Sequence, residues 1–144
     1  SNEDGKTINT DIRKCLHTRI KQEFNSIVFA KVGKALNKYF ENFNLSAKSF
    51  GANDFNDSGY NILKYNKGDF YSQHTDDSAR YPRRFSMSFI LNDDFDGGDF
   101  IFNQQEKYDL KTGDCLMFPS NFCFPHEIKK VACGVRHSLV TWIY

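Results

Sequence analysis

The sequence predicts a mainly β fold, a sandwich or barrel, with helices confined to its first third. Two observations carry this. From Gly59 onward, short apolar runs recur every ~8–12 residues, separated by Asn, Asp and Gly turns. Before residue 45, apolar residues recur instead at helical spacing. At 144 residues the chain fits one compact domain, 1–144, able to bury roughly two thirds of its unfolded surface.

A first helix is expected over 10–23. A second begins where Ser26 can cap it. Val28, Val32, Ala35, Tyr39 and Phe43 then line one face, and Lys31, Lys34, Asn37 and Lys38 fill the other. This helical support, about 8–45, is expected to cover the back of a sheet. Residues 46–58 read as a polar, glycine-containing loop. Strands follow at 60–65, closed by the turn Asn66-Lys67-Gly68-Asp69, and at 85–92, ended by Asn92-Asp93-Asp94 and Gly97-Gly98. Further strands are expected at 100–102, 115–118, 128–131 and 135–142. Together they place a β core at about 59–144, with no internal repeat and no linker.

Net charge is +1, so nothing pulls the chain as a whole toward nucleic acid or a membrane surface. The basic excess lies in residues 1–50, on what reads as a solvated helical face. No apolar run approaches the ~20 residues that span a bilayer. No signal peptide is visible, and the chain begins at Ser1 without an initiator Met, which is compatible with a missing upstream segment. Cys15, Cys115, Cys123 and Cys133 form no Cys-x-x-Cys pair and read as reduced, partly buried thiols. A cytoplasmic location is the resulting expectation. The oligomeric state is left open.

His74, Asp76, His126 and Arg136 are the candidates to carry chemistry, because their types and spacing match one site. Successive side chains of a strand alternate faces, so His74 and Asp76 point the same way and Asp77 points the other. Their Cα atoms would lie roughly 6.6 Å apart, within reach of one ion. Two histidines and a carboxylate on one face of an iron ion leave positions open for substrate and oxygen. Zinc takes similar ligands but gives no reason for the arginine. Arg136 shares a face with Ser138 and not with His137, and its fork suits the carboxylate of a small dicarboxylate. Cys123, three residues before His126, falls on the opposite face. Arg80, Arg83 and Arg84 could hold an acidic or phosphate-bearing partner, or form a solvated loop.

The run Tyr65-Asn-Lys-Gly68-Asp-Phe-Tyr71-Ser-Gln-His74-Thr-Asp76, then Gly97-Gly98-Asp99-Phe100 and Gly113-Asp-Cys-Leu-Met-Phe118-Pro119, appears in a familiar order. It closes with Pro125-His126-Glu-Ile128-Lys-Lys-Val131 and Gly134-Val-Arg136-His-Ser138-Leu-Val-Thr-Trp142. Over residues 59–144 the chain resembles the 2-oxoglutarate and Fe(II)-dependent oxygenases, in their prolyl 4-hydroxylase-like branch. The resemblance implies a double-stranded β-helix, the cupin-like jelly-roll, with the metal at the open end between its sheets.

It further implies Fe(II) on His74, Asp76 and His126, and 2-oxoglutarate on Arg136 with Ser138 beside it. Tyr65 would hydrogen-bond the co-substrate and Ile128 would pack on its methylenes. Tyr71 would lie near a peptide substrate, with Arg80 as a further candidate. Ser88 and Ile90 would line the pocket, although a Tyr, Ser or Ile in a strand also serves as core. Many members of that branch carry lysine where this chain has Arg136, which loosens the substrate assignment. The implied reaction consumes O2 and hydroxylates a peptidyl proline with release of succinate and CO2, and ascorbate is a candidate stimulant. Alternatives are the same chemistry on a peptidyl lysine, a free amino acid or a nucleobase, and a non-catalytic jelly-roll binding module.

Overall fold

The computed structural model of the protein describes residues 11–45 and 55–144. Two short strands come first, β1 (Arg13–Lys14) and β2 (Leu16–Arg19). A 3-10 turn (Gln22–Phe24) then leads into one helix, α1 (Asn25–Asn42). The remaining strands are β3 (Asn61–Tyr65), β4 (Phe70–His74), β5 (Phe85–Ile90), β6 (Asp96–Gly97), β7 (Phe100–Phe102) and β8 (Glu106–Lys107). They continue with β9 (Cys115–Pro119), β10 (His126–Ile128), β11 (Val131–Cys133) and β12 (Arg136–Ile143).

Two five-stranded sheets, β1-β4-β10-β7-β8 and β2-β3-β12-β5-β9, form the jelly-roll, with β11 and β6 as a small separate ribbon. Alternation along β12 shows how the sequence builds the layers. Val140 joins Leu63, Tyr65, Phe100, Phe118 and Ile128 in a core that takes residues from both sheets. Leu139 and Ile143, on the other face, pack with Phe85 and Met87 against α1. α1 answers with Val32, Leu36 and Phe40, each nearly inaccessible. Burying each such side chain contributes roughly 1.5–3 kcal/mol.

Several expectations change. Residues 13–19, within the expected first helix, are strands. β1 pairs with β4 and β2 with β3, so open sheet edges take up a segment whose local pattern is ambiguous. The beginning of that expected helix and most of the 46–58 loop lie outside the described residues. Ser26 sits inside α1, and no side chain caps its start. The helix buries its 32-36-40 ridge, which leaves Phe43 exposed. The expected 128–131 strand is two pieces, β10 and β11. Cys15 is buried and Cys115 half-buried as expected, but Cys123 and Cys133 are exposed. Among the described residues no helix is long and apolar enough to cross a membrane.

Candidate active site

β4 and β10 are neighbours in the first sheet, and their ladder sets His74 opposite His126. Asp76 lies two residues past the end of β4, in a bend rather than in the strand. Its carboxylate reaches both rings: Oδ1 is 3.5 Å from His74 Nε2 and Oδ2 is 3.6 Å from His126 Nε2. Ligand atoms of all three residues lie within 4.8 Å of one another. Asp77, exposed, takes no part.

Backbone carbonyls orient the imidazoles. His74 Nδ1 is 2.9 Å from Ser72 O and His126 Nδ1 is 3.0 Å from Phe124 O. A carbonyl only accepts, so each Nδ1 carries the proton and a neutral ring presents a lone pair at Nε2. Burial lowers the pKa of His126, outweighing the Asp76 carboxylate that would raise it, which favours the neutral ring. Burial would raise the pKa of Asp76, but the contacts with His74, His126, Ser86 and Trp142 hold it well below the usual carboxylate range. Ser86 Oγ donates to Asp76 Oδ2 at 2.6 Å. With both rings neutral, two Nε2 lone pairs face an ionised carboxylate, an arrangement that a cation between them satisfies. Nitrogen and oxygen donors of this kind fit Fe(II).

A register irregularity shapes the wall beside the triad. His126 pairs with His74 and Ile128 with Tyr71, two residues of β10 against three of β4. Residues three apart on a regular strand point opposite ways, and the bulge removes that opposition. The Tyr71 ring consequently stacks on His74, centroids 3.6 Å apart at 15°. His126 is stacked on Phe100 at 5.1 Å and met edge-on by Phe118 at 4.8 Å.

Arg136 opens β12 opposite Tyr65. It is 3 % exposed and donates from Nη1 to Ser138 Oγ at 3.1 Å. Among the described residues, no carboxylate lies within ion-pair distance of it. Burial lowers its pKa against the opposing influence of Tyr65 and Cys15. An unpaired buried cation is costly, so the position is prepared for an anion. Gly98, at φ +62°, makes room for it: a Cβ there would come within 3.0 Å of Arg136 Cδ.

One cavity of about 250 Å³ is lined by His74, Asp76, His126, Arg136, Ser138, Tyr65, Ile128, Tyr71 and Ser88. Ile90 lies outside it and lines an adjacent cleft that Arg136 also borders. Arg80 is exposed, stacked over Tyr81 and outside the cavity wall. Of Arg80, Arg83 and Arg84, Arg83 lines it, with its guanidinium 3.8 Å over Trp142 and Nη1 donating to Asp76 O at 3.2 Å. Sequence reasoning did not single out Ser86, Trp142 or Arg13. Trp142 was within reach of the strand period, six residues beyond Arg136 on the same face. Arg83 was named with its neighbours, whereas Arg13 lies on a strand that was expected to be helix.

A jelly-roll with two histidines and a carboxylate converging beside a buried unpaired arginine is the architecture of the non-haem iron oxygenases that use an oxo-dicarboxylate. A family model described as the 2OG-Fe(II) oxygenase superfamily matches residues 60–144, and the chain belongs to that superfamily. A PKHD-type hydroxylase from Idiomarina loihiensis is 32% identical over 89 residues, 57% of this chain and 40% of that protein. Prolyl 3-hydroxylase 2 of Mus musculus is 35% identical over 66 residues, 42% of this chain and 9% of that protein. The chain therefore matches less than half the length of these curated relatives. Among solved structures, a Pseudomonas putida prolyl-4-hydroxylase aligns with TM-score 0.70 at 21% identity, covering 96% of this chain and 76% of the other. The viral collagen prolyl hydroxylase of Paramecium Bursaria Chlorella virus-1 aligns at 0.69 and 17% identity, covering 92% and 79%. These structural likenesses confirm the jelly-roll.

Proposed function

We propose that the protein hydroxylates a peptidyl proline, with Fe(II) on His74, Asp76 and His126 and 2-oxoglutarate anchored by Arg136. The observation that carries this is one cavity holding both an acceptor-lined triad and a buried arginine without a counter-ion. Fe(II), 2-oxoglutarate and O2, once bound, supply C–H hydroxylation with release of succinate and CO2. The chain's own residues bind and orient. Arg136 and Ser138 take the far carboxylate, Tyr65 offers a hydroxyl donor, and Ile128 packs on the methylenes. His74 and His126 keep their lone pairs aimed inward through the Ser72 and Phe124 carbonyls.

The proline reading draws on the cavity wall and on the relatives named as prolyl hydroxylases. Tyr71, Tyr81 and Trp142 give flat apolar surfaces for a pyrrolidine ring, and Arg83 between them is a donor for a peptide carbonyl. Tyr81 and Arg83 of the 78–84 segment line the cavity. The segment's turn is closed by paired backbone bonds between Ser78 and Tyr81, at 2.9 and 3.1 Å. Succinate release in the presence of Fe(II) and ascorbate tests the proposal. A prolyl peptide should accelerate release above the uncoupled background and gain 16 mass units at proline, and fragmentation should identify the ring carbon. Tyr71→Ala should lose that acceleration while retaining iron. Stimulation by a lysyl peptide or a nucleic acid, with none by prolyl peptides, would replace proline with that substrate.

A further inference from the structure

We infer that Arg13 makes this site selective for a peptide carrying a carboxylate beside the hydroxylated residue; the inference rests on the peptide reading above. β1 pairs with β4 so that Arg13 stands opposite Tyr71. Its guanidinium lies 4.7 Å from the centre of the Tyr71 ring, which itself stacks on His74. Arg13 therefore reaches the metal end of the cavity from the edge strand, and it lines that cavity. Its Nε donates to Cys15 Sγ at 3.0 Å, which leaves the two terminal nitrogens of the fork for a ligand.

Charge decides what that ligand is. Among the described residues, neither Arg13 nor Arg83 lies within ion-pair distance of a carboxylate. The two acids that flank β4 are committed elsewhere. Asp69 accepts from Asn66 N at 2.9 Å and meets Lys14 at 3.4 Å, and Asp76 belongs to the triad. With the site loaded, Fe(II) and Arg136 balance Asp76 and the two carboxylates of 2-oxoglutarate. Two guanidinium charges remain. Arg83 already spans Trp142 and the Asp76 carbonyl, and a substrate carbonyl would use its donors without cancelling its charge. Arg13 has an uncommitted planar fork, the geometry that takes a carboxylate through two parallel hydrogen bonds. Partly desolvated, like-charged groups on a cavity wall raise the local concentration of an anionic ligand.

The test reads binding rather than turnover. Four labelled peptides of equal length combine Pro or Ala at the centre with Asp or Asn at the flanking positions. Affinity is measured by fluorescence anisotropy under nitrogen, with Fe(II) and 2-oxoglutarate present. The Asp forms should bind roughly three- to tenfold tighter than the Asn forms at low salt, and the gap should close as ionic strength rises. Arg13→Gln should bring that ratio to about one, and Arg13→Lys, which keeps the charge without the fork, should retain part of it. A merely structural defect would weaken both forms alike and leave the ratio standing. Equal affinity for Asp and Asn forms, or an undiminished ratio in Arg13→Gln, overturns the inference. A Pro preference without a charge preference overturns it alone; a charge preference without a Pro preference overturns the proline reading alone; no binding by any of the four overturns both.

Discussion

Tyr65→Phe should move stability and co-substrate affinity in opposite directions. Tyr65 is fully buried, and among the described residues its hydroxyl has no hydrogen-bond partner. The Cys15 thiol beside it is a weak acceptor and already receives Arg13 Nε at 3.0 Å. Burial pushes the phenol well above its usual range, against the pull of Arg13 and Arg136, which favours the protonated donor. An unmet buried donor costs about 1–3 kcal/mol. Phenylalanine removes that cost and keeps the ring in the core, so the ligand-free protein should gain about 1–2 kcal/mol. For a chain of this size that corresponds to a Tm higher by roughly 2–8 °C. The same change deletes a hydrogen bond to a 2-oxoglutarate oxygen, worth about 1.5–3 kcal/mol to a charged acceptor. Affinity should fall roughly ten- to a hundredfold. Thermal unfolding across a 2-oxoglutarate titration reads both numbers, because a ligand raises Tm according to its Kd. A destabilised ligand-free protein with undiminished 2-oxoglutarate affinity would refute the reasoning.

Three further outcomes are expected. Asp76→Ala should abolish iron binding, measured by metal titration of the folded protein, whereas exposed Asp77→Ala should retain it; equal loss in both would dissolve the triad. Arg136→Ala should cost about 2–5 kcal/mol of 2-oxoglutarate binding by calorimetry, and His137→Ala should cost little. Burial depresses the pKa of His126 below 6.5, its ordinary value, so the stability it contributes is full above pH 6.5 and is lost as pH falls through the depressed value. Urea midpoints of the metal-free protein should therefore drop on acidification across that window, and less in His126→Gln; parallel curves would count against a buried neutral ring.

Much of the second half of the fold was legible because its signals are local. β3, β5, β7, β9 and β12 each show an apolar strand pattern bounded by turn residues, and the period of two on β12 correctly put Arg136 and Ser138 together. The triad was legible by residue type, but its geometry was not. Asp76 reaches the histidines from a bend past the end of β4, and Tyr71 meets His74 through a bulge. Both depend on the register between β4 and β10, which no local pattern specifies. Residues 13–19 were misread for a related reason. Two- and four-residue strands carry too little periodicity to announce themselves, and they exist because β4 and β3 offer unpaired edges. Arg13 stayed hidden with them.

That segment also has a mechanical meaning. Cys15 sits between β1 and β2, so within seven residues the backbone leaves one sheet and enters the other, closing the β4 and β3 edges in a single pass. The two layers are stitched together beside the cavity that Arg13 lines. A cut or deletion there would free two adhesive edges at once and withdraw Arg13 from the cavity. Loss of solubility and loss of substrate discrimination should therefore arrive as one event.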